Sequence, residues 1–187
     1  MMIQDVPPTV FGVAAILCAV AVLSALALRA GHSERLPAIG LIAIFAGITQ
    51  LPLPPSEGLD CSDSGEPPLL RPLRFVDAIG RRLERNLSAL EWLRELTISS
   101  TALNLHACIV IGVALGLCVA RFRAAILIGA AMSLTAETAQ ITGLFGLYDC
   151  TYRQFEVDDL ILNTSGVAIG YALARMMRAG RVWRAAR

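Results

Sequence analysis

Six polar side chains stand inside or beside apolar sequence that has no evident use for them. Ser133, Glu137 and Gln140 recur at spacings of four and three within one apolar run, and Asp158, Asp159 and Asn163 open the next. Residues three and four apart share a helix face, so Ser133, Glu137 and Gln140 present one polar stripe and Asp159 with Asn163 another. In hydrocarbon such groups cost several kcal/mol unless they are paired, which makes them functional suspects. Glu137 with Asp158 or Asp159 has the composition of an acid and a base. Arg153, in the loop between the runs, offers a planar fork for a phosphate or carboxylate, with the amides to orient it. A structural use is equally open: Glu137 paired with Arg153, or accepting bonds from Gln140 and Asn163, would fix helix register. The adjacent aspartates also suit the N-terminus of the helix they precede. No spacing marks a metal site, no cofactor is expected, and no nucleophile-and-base pair stands out. Ser133 reads as a helix-packing hydroxyl.

The elements that must hold these residues are membrane helices. The chain has 187 residues, 56% apolar and 17% charged, with a mean hydropathy of +0.63. That charge content is well under the roughly 25% of a soluble domain. The apolar residues come in long runs, so the expected class is an all-α polytopic membrane helical bundle. About five transmembrane helices are predicted, at about 8–29, 36–53, 98–120, 124–144 and 158–177. The first has 23 uncharged residues at 6–28, enough for a core of ~30 Å at 1.5 Å per residue. A signal peptide would bring a basic leader, and only Asp5 precedes this run. The second ends at LPLPP, since proline cannot continue a helix.

Between the second and third runs lies a long loop, 54–97. Its second half, 75–96, alternates Val76, Ile79, Leu83, Leu87, Leu90 and Leu93 with Arg81, Arg82, Glu84, Arg85 and Glu91. That spacing predicts one amphipathic helix lying in the interface. Arg29, Arg35, Arg121, Arg123 and the five arginines of the C-terminal tail fall on one side of a five-span topology. That side should be cytoplasmic, with the N-terminus and the long loop outside. Cys61 and Cys150 then share the oxidising side, where a disulfide is permitted. Cys18, Cys108 and Cys118 read as small packing residues.

Depth ties the polar residues together. Glu137 lies about seven residues before the outer end of its run, Asn163 a similar distance into the next, and Asn104 five to eight into the third. At 1.5 Å per residue all three are roughly 10 Å in from the same side, which predicts one shared pocket. His106 faces away from Asn104. Gly166 and Gly170, in GVAIG, form a small-xxx-small pattern that lets another helix approach closely.

S-x-x-x-E-x-x-Q at Ser133, Glu137 and Gln140, followed by R-x-F-x-x-D-D-L-I-L-N-T-x-G-x-x-x-G from Arg153 to Gly170, resembles the VanZ-like family of bacterial membrane proteins. Asn104, with Gly112 eight residues on, is similar to that family's N-x-x-x-F-x-P-x-G element. Cys108 and Val110 stand where phenylalanine and proline are usual, so the helix there should have its own geometry. The resemblance covers residues 99–178. It implies a multi-pass protein of the bacterial cytoplasmic membrane, whose C-terminus the arginine distribution places in the cytoplasm. The name-giving member is associated with low-level resistance to the glycopeptide teicoplanin, with no settled mechanism.

Together these readings predict a non-enzymatic membrane protein whose outward pocket recognises a cell-envelope component, an anionic lipid or a lipid-linked headgroup. A membrane enzyme acting on such a lipid, with Glu137 and Asp158 or Asp159 as acid and base, and a structural or partner-binding protein are the alternatives. Membrane lipids are the expected partners; nucleic acid is not, and nothing specifies a protein partner.

Overall fold

In the computed structural model, the described residues are 8–50, 65–84 and 96–185, and their regular structure is helical apart from one isolated β-bridge. Among the described residues, six helices of ten residues or more follow in order: α1 (Pro8–Arg29), α2 (Leu36–Gln50), α3 (Arg74–Leu83), α4 (Leu96–Cys118), α5 (Phe122–Ile141) and α6 (Val157–Ala185). The protein is an all-α membrane helical protein. Thr101–Cys118, Phe122–Ile141 and Val157–Ala179 are long and apolar enough to cross a membrane, and Val13–Arg29 is a shorter apolar helix. α2 has 15 residues, about 22 Å at 1.5 Å per residue, so as described it is shorter than a bilayer core. Residues 51–53, the expected end of that span, lie outside the described residues.

The centre of the bundle is a seam between α4 and α6. Cys108, Gly112 and Gly116 on α4 face Gly166, Gly170 and Ala174 on α6, each set at intervals of four. A Cβ on Gly112 would collide with the carbonyl of Val167, and one on Gly170 with the carbonyl of Ile109. Only glycine lets the two backbones come so close. Numbers rise together along the contact, so α4 and α6 run parallel, and α5 returns antiparallel to both. Gly129 of α5 lies against the Val167 side chain. Cys108, unusual for the motif on α4, is the small residue that admits Gly166.

At the far end of the seam the Tyr171 hydroxyl donates to the carbonyls of Val119 and Ala120, at 3.1 and 2.9 Å. Those carbonyls lie just beyond the last turn of α4, where intrahelical partners are missing. Phe122 meets the Tyr171 ring edge-on, with centroids 5.5 Å apart. Arg178 donates to the carbonyl of Leu117 at 2.9 Å. α1 and α2 form a hairpin through the tight turn Ser33–Arg35, and α2 leans on α4 and α5. Leu17, Val22 and Leu26 of α1 are exposed apolar side chains, as a lipid-facing helix requires.

α5 ends at Ile141, three residues before the expected 144, because the backbone then turns left-handed. Gly143, Leu144, Phe145 and Gly146 all have positive φ, between 54° and 83°. Each non-glycine residue held this way costs about 1–2 kcal/mol. Thr142 braces the turn: its hydroxyl accepts from the N–H of Phe145 at 3.0 Å and its carbonyl from Gly146 at 2.8 Å. Gly143 has no room for a side chain, since a Cβ there would meet the carbonyls of Tyr148 and Cys150.

Only the first part of the expected amphipathic segment lies within the described residues. α3 covers Arg74–Leu83 and α4 begins at Leu96. Leu87, Leu90, Leu93, Arg85 and Glu91 lie outside the described residues. Within α3, Val76, Ile79 and Leu83 leave an apolar face uncovered by protein, and Asp77 pairs with Arg71 at 3.0 Å. Cys150 is disulfide-bonded; Cys61, its expected partner, lies outside the described residues. Cys18, Cys108 and Cys118 are free.

Candidate functional site

The polar stripe of α5 is buried: Ser133 is 0%, Glu137 2% and Gln140 2% exposed. What meets it is the approach to α6, folded over by a strap from the long loop. The N–H of Leu69 donates to the carbonyl of Phe155 at 2.8 Å, and the N–H of Val157 donates back to the carbonyl of Leu69 at 3.1 Å. This is a parallel bridge between Leu69 and Glu156. Gln154 adds a bond from its amide to the carbonyl of Pro67 at 2.6 Å. In a bridge of this kind the N–H of residue 156 points away from the partner strand. It donates instead to Oε2 of Glu137 at 2.9 Å. A buried carboxylate oxygen on α5 is thereby joined to the backbone that leads into α6.

Asp158 has a different task from its neighbour. It is buried, and both of its oxygens accept backbone bonds from the long loop: Leu73 N–H at 2.6 Å and Phe75 N–H at 2.9 Å. Those donors belong to the start of α3, whose first N–H groups lack intrahelical acceptors. An acid at the head of α6 therefore caps α3, more than eighty residues away. It also holds Leu73 at a φ of 62°.

Asp159 is half-buried and its backbone carbonyl accepts from the Ser133 hydroxyl at 3.4 Å. Asn163 continues the chain of bonds, its amide donating to Oγ of Ser133 at 3.0 Å. Ser133, expected to serve helix packing, is thus the hinge of a polar chain between α5 and α6. Gln140 turns elsewhere: its amide donates to the carbonyl of Thr49 at the end of α2. The side-chain oxygens of Gln140 and Asn163 are buried and accept no hydrogen bond among the described residues.

The structure brings Glu137, Glu156, Asp159 and Arg153 within electrostatic range of one another. Burial first, then the charge of Asp159, pushes the Glu156 carboxyl up from its ordinary range, against the pull of Arg74 and Arg153. Arg153 itself is exposed, and it makes no ion pair among the described residues. Of the two structural uses open to Glu137, neither the pair with Arg153 nor bonds from Gln140 and Asn163 are seen among the described residues; the backbone N–H of Glu156 takes that position. Asn104 is half-buried on α4 and makes no hydrogen bond to this group among the described residues, while His106 is exposed. Among the described residues no three His, Cys, Asp or Glu side chains converge on a possible metal position.

Two contributors escaped the sequence. Glu156 sits in a loop and shares no helical spacing with Glu137, and Thr49 is joined to Gln140 across 91 positions. Neither has a local signal. Chemically, the site holds acceptors in excess: the carboxyl groups of Glu137, Glu156 and Asp159 and the amide oxygen of Asn163, against the guanidinium of Arg153 at the rim and the pull of Arg74 on Glu156. Such a set suits a group that brings hydroxyl or ammonium donors inward and an anion outward.

A family model described as VanZ/LLP1 matches residues 38–178, three quarters of the chain. The match begins well before residue 99, so α2 and the long loop belong to the matched region along with the two motifs. No curated protein and no solved structure matches the chain.

Proposed function

The chain belongs to the VanZ/LLP1 family, and from that premise we propose that it is a non-enzymatic membrane protein binding the headgroup of a cell-envelope lipid or lipid-linked precursor. The observation that supports this most is the exposed Arg153 beside an acceptor-rich set, the buried Glu137 and Asn163 and the half-buried Asp159. In this reading the arginine takes a phosphate at the interface, and the acceptors behind it take hydroxyl or ammonium donors of the same headgroup. The purely anionic lipid expected from Arg153 alone fits less well, because three carboxyl groups share the pull of only two arginines, Arg153 and Arg74.

The orientation belongs to this reading. A disulfide at Cys150 favours placing the strap and the left-handed turn on the oxidising side of a bacterial cytoplasmic membrane. Arg29, Arg35, Arg121 and Arg123 at the other end favour the cytoplasm there, with the C-terminus. α1 and α2 complete a five-span topology. A contribution to teicoplanin resistance attaches to the proposal only through the family.

The test is lipid retention. Full-length protein purified from its own membrane should carry a phosphate-containing, hydroxyl- or amine-bearing lipid that Arg153→Ala and Asn163→Leu deplete while expression and folding hold. Equal retention in both variants and the wild type sinks the proposal. The enzymatic alternative loses one candidate, since both oxygens of Asp158 are occupied by backbone bonds. It would show as a new product from envelope lipids that Glu137→Gln abolishes.

A further inference from the structure

The opposite end of the bundle carries a second site, made from residues that the polar cluster does not use. A groove of about 550 Å³ opens where the α1–α2 hairpin meets the ends of α4 and α5. Its wall is aliphatic, with Leu26, Ile39, Ile42, Leu115 and Ile128, and the one charged side chain lining it is Arg35. That volume is in the range of a small-molecule site.

Depth and charge say what fits. Ile42 is seven residues into α2 from Arg35, and Ile128 seven into α5 from Arg121. At 1.5 Å per residue the groove reaches about 10 Å into the apolar layer from a ring of arginines. Arg29 ends α1, Arg35 precedes α2, and Arg121 and Arg123 bracket the start of α5; all four are exposed. Against them stands Glu34, which is exposed, hydrogen-bonded to His32 at 3.1 Å and within electrostatic range of Arg35, so four cations face one acid. Arg35 has no ion-pair partner among the described residues. An apolar slot beginning at a guanidinium that makes no ion pair among the described residues, inside a ring of further cations, matches an amphiphile with a negative head and an aliphatic tail. Basic pockets between membrane helices take anionic headgroups for this reason.

We propose that this groove binds one anionic phospholipid, with the phosphate on Arg35 and the upper part of one acyl chain between α1, α2, α4 and α5. The occupant braces the hairpin against the three-helix body. Neither the site nor its test depends on the polar cluster at the other end.

The experiment is native mass spectrometry of the full chain released from nanodiscs of equal phosphatidylglycerol and phosphatidylcholine. The expected result is preferential retention of one phosphatidylglycerol. Arg35→Ala should weaken that retention about fivefold, the loss expected of one basic residue near an anionic surface. Leu26→Trp, a change at an exposed position that fills the groove, should displace phosphatidylglycerol without unfolding the protein. Equal retention of the two lipids means ordinary annular contact and overturns the proposal, and so does unchanged retention in both Arg35→Ala and Leu26→Trp.

Discussion

Replacing Asp158 should release the long loop from the helical body without dissolving that body. The carboxylate is 5% exposed and accepts the N–H groups of Leu73 and Phe75 at 2.6 and 2.9 Å. A hydrogen bond to a charged group contributes about 1.5–3 kcal/mol, and a lost helix cap costs about 0.5–2 kcal/mol. The two bonds are not additive, because water reaches both donors once the loop lifts. A combined loss of about 2–4 kcal/mol is the reasonable figure for Asp158→Ala. That corresponds to a fall of about 30- to 1000-fold in the protection of amides whose exchange needs only this local opening. Asp158→Asn keeps one acceptor but turns an amide donor toward a backbone donor, so it should fall between the alanine variant and the wild type. Hydrogen exchange read by mass spectrometry on detergent-solubilised protein would resolve this. Faster exchange should be confined to Leu69–Leu83, with α4 and the middle of α6 unchanged. Protection of Leu69–Leu83 within threefold of wild type in both variants would falsify the capping argument. Lost function with unchanged exchange would instead return Asp158 to a chemical role.

Two further outcomes follow from the packing and the charges. Gly170→Ala places a Cβ on the carbonyl of Ile109, a backbone atom that cannot yield locally; unfolding in sodium dodecyl sulfate titrations should show a loss of at least about 2 kcal/mol. Gly40→Ala, where a Cβ meets nothing within 4 Å, should be neutral or gain up to about 1 kcal/mol; equal effects at the two glycines would refute the seam. Glu156 has a carboxyl pushed up from its ordinary value of 4.5 by burial and by Asp159. Its contribution to loop docking is complete below that ordinary value and is lost as pH rises through the raised one. Docking followed by exchange at Leu69–Leu83 should therefore tighten on acidification from neutral pH, and Glu156→Gln should remove part of that dependence. An identical pH profile in the variant contradicts the assignment.

The helical character of the chain was legible wherever apolar runs were long, because a backbone in lipid has few alternatives to helix. The stripe of Ser133 and Glu137, the facing Asn163 and the Gly166–Gly170 pair were also legible, since each depends on helical spacing within one segment. What could not be read was where each side chain found its partner. Gln140 shares a face with Glu137, yet it bonds to the end of α2. Asp158 has the position of a cap for its own helix and serves another. Glu156 enters through its backbone, which no residue type advertises. The close of α5 at Ile141 was missed because Leu144 and Phe145 adopt a left-handed turn that neither residue favours. Only Gly143 and Gly146 hint at it.

The seam between α4 and α6 has a mechanical consequence. Where two backbones touch through glycine there is no intervening layer of side chains to repack, so the helices cannot slide by exchanging rotamers. α4 and α6 must behave as one stiff rod, with α5 strapped to it by Val167 and by Ser133. Compliance is left to the parts joined by few bonds: the strap at Leu69 and α3 at one end, the α1–α2 hairpin at the other. A ligand could then be admitted at either end by peeling back a cover, while the rod between them keeps its length and transmits nothing.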